Sequence, residues 1–133
     1  MIYCLDTNIC IYFLKGSFPA VSSRLRELDP VDLKIPSMVK AELLLGAEKS
    51  RNRSDNLKKV RLFLTPYEIV PFDSEAAEIY AVIRSRTEKK GSVVGPNDLV
   101  IAATALTLNA CLVTGNTNDF SRIDGLKTVD WTA

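Results

Sequence analysis

The feature that most constrains the fold is the alternation of short apolar runs with longer helical stretches along the whole chain. The runs carry few polar residues, which is typical of parallel strands that are covered on both faces. We expect five strands, at residues 2–5, 32–36, 68–72, 111–114 and 126–131. The pattern therefore predicts an α/β fold, with a mostly parallel sheet between two layers of helices.

Helical periodicity and capping signals fill the segments between these strands. Polar residues after the first strand can cap a helix that ends at Gly16. Ser37 can cap the helix that follows the second strand, and Asp73 can cap the long helix that follows the third. We expect helices at residues 9–16, 19–28, 38–50, 54–64, 74–90 and 97–110. The last of these is apolar on nearly all sides, so it should be buried. We expect one domain over residues 1–133.

Composition removes several classes of function. The chain has no histidine, which excludes Ser-His-Asp triads and imidazole ligands to zinc or haem. Cys4, Cys10 and Cys111 form neither a CxxC pair nor a zinc spacing, so we expect buried free thiols. No apolar run approaches the ~20 residues of a membrane-spanning helix, and Asp6 interrupts the N-terminal run too early for a signal peptide. We therefore expect a cytoplasmic protein.

Acidic side chains follow strands or begin helices at what should be one edge of the sheet. Asp6 follows the first strand, Asp98 begins the apolar helix, and Asn116 and Asp119 follow the fourth strand. Glu42 lies about one turn into its helix. Taken singly, each acid has an ordinary interpretation, as a helix cap, a partner of the helix dipole, a turn residue or a solvated glutamate.

Taken together, these acids predict a cation site, because three or four carboxylates at one edge repel one another unless a cation lies between them. The nearby lysines, Lys15 and Lys40, are not well placed to supply that charge. An all-oxygen set of ligands without histidine favours Mg²⁺, for which Mn²⁺ can substitute. Such an ion lowers the pKa of a bound water and offsets charge that develops on a phosphoryl group.

At this point the chain resembles a known family, the PIN-domain ribonucleases, and within it the VapC-type toxins of type II toxin–antitoxin pairs. The resemblance spans nearly the whole chain. It rests on the motifs LDTN (5–8), AELLLGAEKS (41–50), GPNDLVIAA (95–103), LVTGNTNDF (112–120) and GLKTVDW (125–131), in that order. It implies a PIN-like α/β/α sandwich and a Mg²⁺-dependent endoribonuclease, a hydrolase that cleaves phosphodiesters in RNA.

The resemblance also assigns roles to matched positions. Asp6, Glu42 and Asp98 match the acids that hold the metal. Asn116 matches the fourth site, which is Asp or Asn in the family, and Asp119 matches the catalytic acid just after it. Thr7, Asn8, Thr114 and Asn116 would orient carboxylates and water by hydrogen bonds. Because position 116 is an amide rather than an acid, we expect one metal ion rather than two. At position 39 the chain has Val, where relatives often carry a hydroxyl side chain.

The same resemblance implies partners. These are a VapB-type antitoxin, a second copy of the chain in a homodimer, and RNA, with the anticodon loop of initiator tRNA as the favoured target. Apolar residues at 12–14 and 43–45 could line a groove for the antitoxin, although core packing is the alternative. Lys49, Arg51, Arg53 and Lys58 could bind the RNA backbone, although a solvated helix face is the alternative.

Two other functions stay open from the sequence. A metal-dependent phosphatase would also have an acid after its first strand, but haloacid-dehalogenase-type enzymes need a second Asp where this chain has Asn8. A non-catalytic RNA-binding PIN domain is the other alternative. The intact set of acids favours the nuclease over both.

Overall fold

Five short parallel strands form the central sheet in a computed structural model, which describes residues 1–132. The last residue of the predicted domain, Ala133, lies outside the described residues. The strands are β1 (Tyr3–Leu5), β2 (Leu33–Pro36), β3 (Glu68–Val70), β4 (Cys111–Val113) and β5 (Lys127–Val129). Their order is β3-β2-β1-β4-β5, and every neighbouring pair is parallel. The predicted α/β fold with a parallel central sheet is therefore confirmed.

Seven α-helices and one short 3-10 helix (Pro30–Asp32) connect the strands within the described residues. The α-helices are α1 (Thr7–Lys15), α2 (Pro19–Glu27), α3 (Ser37–Glu48), α4 (Arg53–Leu64), α5 (Ser74–Lys89), α6 (Pro96–Thr107) and α7 (Thr117–Phe120). The six longer ones correspond to the predicted helices. The short α7 was not predicted, because four residues are too few for a helical period to show.

One local prediction is wrong. Ser37 does not cap α3 but is its first residue, and its hydroxyl instead accepts a hydrogen bond from the Phe72 backbone at 3.3 Å. The path of the chain that follows β3 thus determines the role of Ser37.

The core lies on both sides of β1 and β4, which occupy the middle of the sheet. Helix α6 is buried along most of its length, as its composition predicts, and it packs against α5. Helices α1, α3 and α4 pack against one another. The three cysteines are buried free thiols, and burial raises the pKa of each of them, so they are inert.

The strand order places a crevice beside β1. The chain runs outward from β1 to β2 and β3, and β4 and β5 then continue from the other side of β1. In open parallel sheets, ligands bind beyond the carboxyl ends of the strands at this reversal of direction. The residues that follow β1 and β4 are therefore the ones best placed to form a site. No helix within residues 1–132 is both long enough and apolar enough to cross a membrane.

Candidate active site

Asp6 lies at the reversal point and is held rigidly. Its backbone N–H donates to the Val113 carbonyl at 3.1 Å, which joins the end of β1 to the end of β4. Its Oδ1 accepts a hydrogen bond from the Ile9 backbone at 2.9 Å, so Asp6 caps α1. The residue is only 6% exposed. The sequence predicted correctly that Asp6 caps the helix, and the structure shows in addition that the capping residue is buried.

Glu42 reaches the same edge from the middle of α3. Thr7, the first residue of α1, donates its hydroxyl to Glu42 Oε1 at 2.6 Å. This contact supports the expected orienting role of Thr7. Asn8 is exposed and donates to none of these carboxylates within residues 1–132, so its expected orienting role has no contact behind it.

Asp98 lies in the first turn of α6, whose start is fixed by Gly95 and Pro96. Oδ2 of Asp98 lies 3.7 Å from the position that a Cβ at Gly95 would occupy, so the carboxylate lies within van der Waals distance of the start of the helix. The side chain is half-buried. Burial raises its pKa, and the neighbouring charges of Glu42 and Asp119 raise it further.

The segment after β4 contributes the remaining predicted residues. The Thr114 hydroxyl is fully buried and accepts a hydrogen bond from the Asn116 backbone at 2.9 Å. The Asn116 side chain donates to Asp119 Oδ2 at 3.0 Å. Asp119 is partly exposed, and Arg122 lies 3.9 Å from its Oδ1.

Electrostatic repulsion links these acids. Burial raises the pKa of Asp6 from 3.8 to about 6; hydrogen bonds from Thr114 and the Ile9 backbone oppose the shift, and the charges of Asp98 and Glu42 add to it. Among the ion pairs within residues 1–132, Asp6, Glu42 and Asp98 have no cationic partner. The edge therefore carries an excess of negative charge that the described protein does not offset.

The acids are neighbours without forming a preformed cage. In residues 1–132, no group of three or more Asp, Glu or Cys side chains is already arranged to hold a metal ion. Glu42 is instead engaged by hydrogen bonds from protein donors.

The predicted RNA-binding residues lie after Glu42 along the chain. All four residues are exposed: Lys49 and Arg51 lie between α3 and α4, and Arg53 and Lys58 lie on α4. Arg53 pairs with Glu48, with one contact of 3.1 Å between its Nη2 and Glu48 Oε2. That pairing offsets the charge of Arg53 but not that of the other three residues.

A groove of about 410 Å³ lies between α1, α3 and α4 and includes Glu42 in its wall. Ile11, Leu14 and Leu43 line it, whereas Tyr12 packs on Phe18 and Phe13 on Phe63, with ring centroids 4.6 and 5.4 Å apart. Of the residues predicted to line a groove, Leu14 and Leu43 do so. Tyr12, Phe13 and Leu44 instead pack against the core, which was the alternative interpretation, and Leu45 is exposed outside the groove.

Two polar residues at the edge were missed by the sequence analysis. Asn97 Nδ2 lies 3.4 Å from Glu42 Oε2, and Arg122 approaches Asp119. The spacing of three residues between Asp119 and Arg122 could have indicated the second contact, because residues three apart are neighbours wherever the chain turns helically. Nothing local indicates the first, because Asn97 and Glu42 are 55 residues apart.

Comparisons with known proteins agree on one family. A family model described as PIN domain matches residues 3–126. A protein named Ribonuclease VapC2, from Rickettsia felis, is 39% identical over 132 residues, which cover 98% of each chain. Another, named tRNA(fMet)-specific endonuclease VapC, from Shigella flexneri, is 36% identical over 129 residues, which cover 97% of each chain.

Solved structures give the same result. The crystal structure of VapBC2 from Rickettsia felis, bound to a DNA fragment from its promoter, contains a similar chain with a TM-score of 0.92. The sequence identity is 38%, and the match covers 98% of this chain and 99% of that one.

Proposed function

This chain belongs to the PIN-domain family and, within it, to the VapC ribonucleases of toxin–antitoxin systems, and on that premise we propose that it is a Mg²⁺-dependent endoribonuclease that cleaves tRNA. The observation that carries this proposal is the uncompensated group of acids at the reversal point of the sheet. Asp6, Glu42 and Asp98 would be the ligands of the metal, and Asp119 would assist them. We also propose that residues 1–133 act as one domain.

The residues present fit a magnesium ion. Mg²⁺ usually keeps several waters and binds one or two carboxylates directly, so it does not require a preformed cage of three acids. Nucleases of this family generally use divalent metals. When bound, the ion would supply an activated water and offset charge on the phosphodiester. Mn²⁺ has similar preferences and could substitute for it.

The protein groups have separate tasks in this proposal. Asp6, fixed by the α1 cap and by its link to β4, would provide the rigid anchor of the site. Thr7 would orient the Glu42 carboxylate, while Thr114 would stabilise the charged form of Asp6. Hydrolysis of the phosphodiester in this way leaves a 5′-phosphate and a 3′-hydroxyl.

The proposed substrate is tRNA, with the anticodon loop of initiator tRNA as the most specific form of the proposal. It is supported by the similarity to the Shigella protein, whose name specifies tRNA(fMet). Lys49, Arg51 and Lys58 would contact the RNA backbone from one side of the site, with a smaller contribution from Arg53. Action on tRNA would place the protein in the cytoplasm.

The proposed partners are a VapB-type antitoxin and a second copy of the chain. The similar chain in Rickettsia felis was solved as a VapBC2 complex, which supports the first. The groove beside Glu42, lined by Leu14 and Leu43, is a suitable place for an apolar antitoxin segment. We also propose a homodimer, which the resemblance of the sequence to the VapC-type toxins implies.

Cleavage of total tRNA by the antitoxin-free protein tests the proposal. We expect discrete fragments with 5′-phosphate ends in Mg²⁺ or Mn²⁺, and none in EDTA or with Asp98→Asn, which preserves the shape of the side chain. Intact RNA under all conditions, with Mg²⁺-independent RNA binding, would favour the non-catalytic RNA-binding alternative. Hydrolysis of small phosphoesters without RNA cleavage would favour the phosphatase.

A further inference from the structure

Glu42 differs from the other acids in how its position is determined. Asp6 is fixed by backbone contacts at the end of β1, whereas Glu42 extends from the middle of α3 on a long, flexible side chain. Fixing such a side chain has an entropic cost, which polar contacts at its carboxylate must offset. The orientation of Glu42 therefore depends on the donors around it.

Each oxygen of the Glu42 carboxylate has its own donor. Thr7, on α1, donates to Oε1 at 2.6 Å, and Asn97, on α6, donates to Oε2 at 3.4 Å. The two donors belong to different helices, α1 and α6, so together they tie α3 to both of these neighbours. One donor alone would leave the carboxylate free to rotate about its last bond.

Asn97 has no evident structural task in α6. It is exposed, and the first turn of α6 has no side-chain cap, so the residue is not needed to begin the helix. Asparagine is also a poor helix former, so helix propensity does not explain its presence in the first turn of α6. Within residues 1–132, the side chain of Asn97 makes one hydrogen bond, and its partner is Glu42.

The chemistry of an amide suits this position. A carboxylate can only accept hydrogen bonds, so the Asn97 side chain must present its NH₂ group to Glu42. A lysine or arginine there would neutralise Glu42 and compete with a cation, and an aspartate would repel it. An amide orients the carboxylate and leaves its charge available.

From these contacts we propose that Asn97 is a positioning residue, which acts with Thr7 to hold the Glu42 carboxylate toward the cation site. The inference rests on the proposed metal-dependent function. The 3.4 Å contact is the longer of the two, and such bonds often tighten when the ligand is bound. Asn97 thus controls how well Glu42 is placed, without touching the reacting atoms.

The affinity of the antitoxin-free chain for Mn²⁺ tests the inference without using activity. We expect Asn97→Ala to weaken Mn²⁺ binding about 10-fold, the usual scale for a residue that orients a metal ligand. In a Glu42→Gln background the same change should have less than about a 2-fold effect, because an effect transmitted through Glu42 disappears with it. Asn118→Ala, an exposed asparagine on α7, is the matched control and should leave the affinity unchanged.

Two results would overturn the inference: unchanged Mn²⁺ affinity in Asn97→Ala, or an equal loss in both backgrounds. If Glu42→Gln binds Mn²⁺ too weakly to measure, cleavage decides. Asn97→Ala should then raise the Mn²⁺ concentration for half-maximal rate and leave the KM for RNA unchanged, whereas a raised KM at saturating Mn²⁺ would identify an RNA contact instead. A wild-type chain that neither binds Mn²⁺ nor cleaves RNA would contradict the proposed function itself.

Discussion

Two aspartates in this protein begin helices in the same way but differ in everything beyond the helix. Asp6 caps α1 and Asp73 caps α5, each in an extended conformation and each accepting a 2.9 Å hydrogen bond from the backbone three residues later. Asp73 follows the edge strand β3 and is exposed. Asp6 follows the central strand β1 and is buried beside two other acids.

The difference shows that the position of a strand in the sheet, rather than local chemistry, makes a capping aspartate into a candidate catalytic group. At the edge, the carboxylate is solvated and acts on its own helix alone. At the reversal point, strands on both sides bring in further carboxylates. An aspartate at that position is therefore removed from solvent and lies close to other negative charges.

The largest effect that would sharpen this comparison is on RNA cleavage. Asparagine is as good a helix cap as aspartate, so Asp6→Asn preserves the cap and removes the charge. We expect Asp6→Asn to reduce the rate of tRNA cleavage on the order of 10³-fold. Asp73→Asn makes the same chemical change at the edge strand, and we expect it to alter the rate less than about 2-fold.

Fragment yields from both variants, measured at equal concentrations of folded protein, check this prediction. Circular dichroism establishes that each variant is folded. Equal losses of activity would mean that the cap, and not the charge at the reversal point, supports cleavage. Full activity in Asp6→Asn would remove Asp6 from the site.

The second prediction concerns the pH dependence of stability. Because the pKa of Asp6 is raised from 3.8 to about 6 in the folded state, the folded chain keeps a proton that the unfolded chain loses. The contribution of Asp6 to stability therefore falls as pH rises from about 4 to about 6, by up to roughly 3 kcal/mol. In metal-free buffer at neutral pH, Asp6→Asn should be more stable than the wild type.

Urea unfolding from pH 4 to pH 7.5 in EDTA measures this difference. The advantage of Asp6→Asn should be near zero at pH 4 and largest above pH 6. Added Mg²⁺ should reduce the advantage, because a bound cation stabilises the ionised form of Asp6. An advantage that is independent of pH would contradict a raised pKa in the folded state.

The sequence predicted the acids of this edge better than the contacts between them. Asp6 and Asp98 were found because they lie beside strand ends and helix starts, which periodicity and capping signals locate. The contact between Asn97 and Glu42 depends on how α3 and α6 are placed across the sheet, and no local pattern encodes that distance. The resemblance to a family predicted the roles of the acids, whereas their hydrogen-bond partners became known only from the structure.

The third prediction tests whether a buried hydroxyl beside Asp6 matters for function. Thr114 and Thr104 are both fully buried threonines, but the Thr104 hydroxyl donates to the Val100 carbonyl within α6, away from the acids. Thr114→Val removes a group that stabilises the charged form of Asp6. We expect it to reduce cleavage about 10- to 100-fold, the scale for groups that orient metal ligands.

Thr104→Val is the matched control, because it makes the same change in the core and should leave the rate of cleavage nearly unchanged. The Mn²⁺ affinity of each variant separates the two roles further, since only Thr114→Val should weaken it. Similar behaviour of both variants would mean that Thr114 contributes packing alone. The difference between Asp73 at the edge strand and Asp6 at the reversal point would then be due to the neighbouring carboxylates alone, and not to the Thr114 hydroxyl.

The smallest effects are expected from the exposed basic residues, which lie outside the rigid part of the site. Lys58 has no acidic partner within 4 Å in the described part of the chain, whereas Arg53 pairs with Glu48. We expect Lys58→Ala to weaken tRNA binding about 3- to 10-fold and to lower the slope of log K against log salt by about 1. Arg53→Ala should have a smaller effect on both, because Glu48 already offsets its charge. Binding titrations over a range of salt concentrations measure the two slopes, and equal slopes for the variants and the wild type would exclude this surface from the RNA interface.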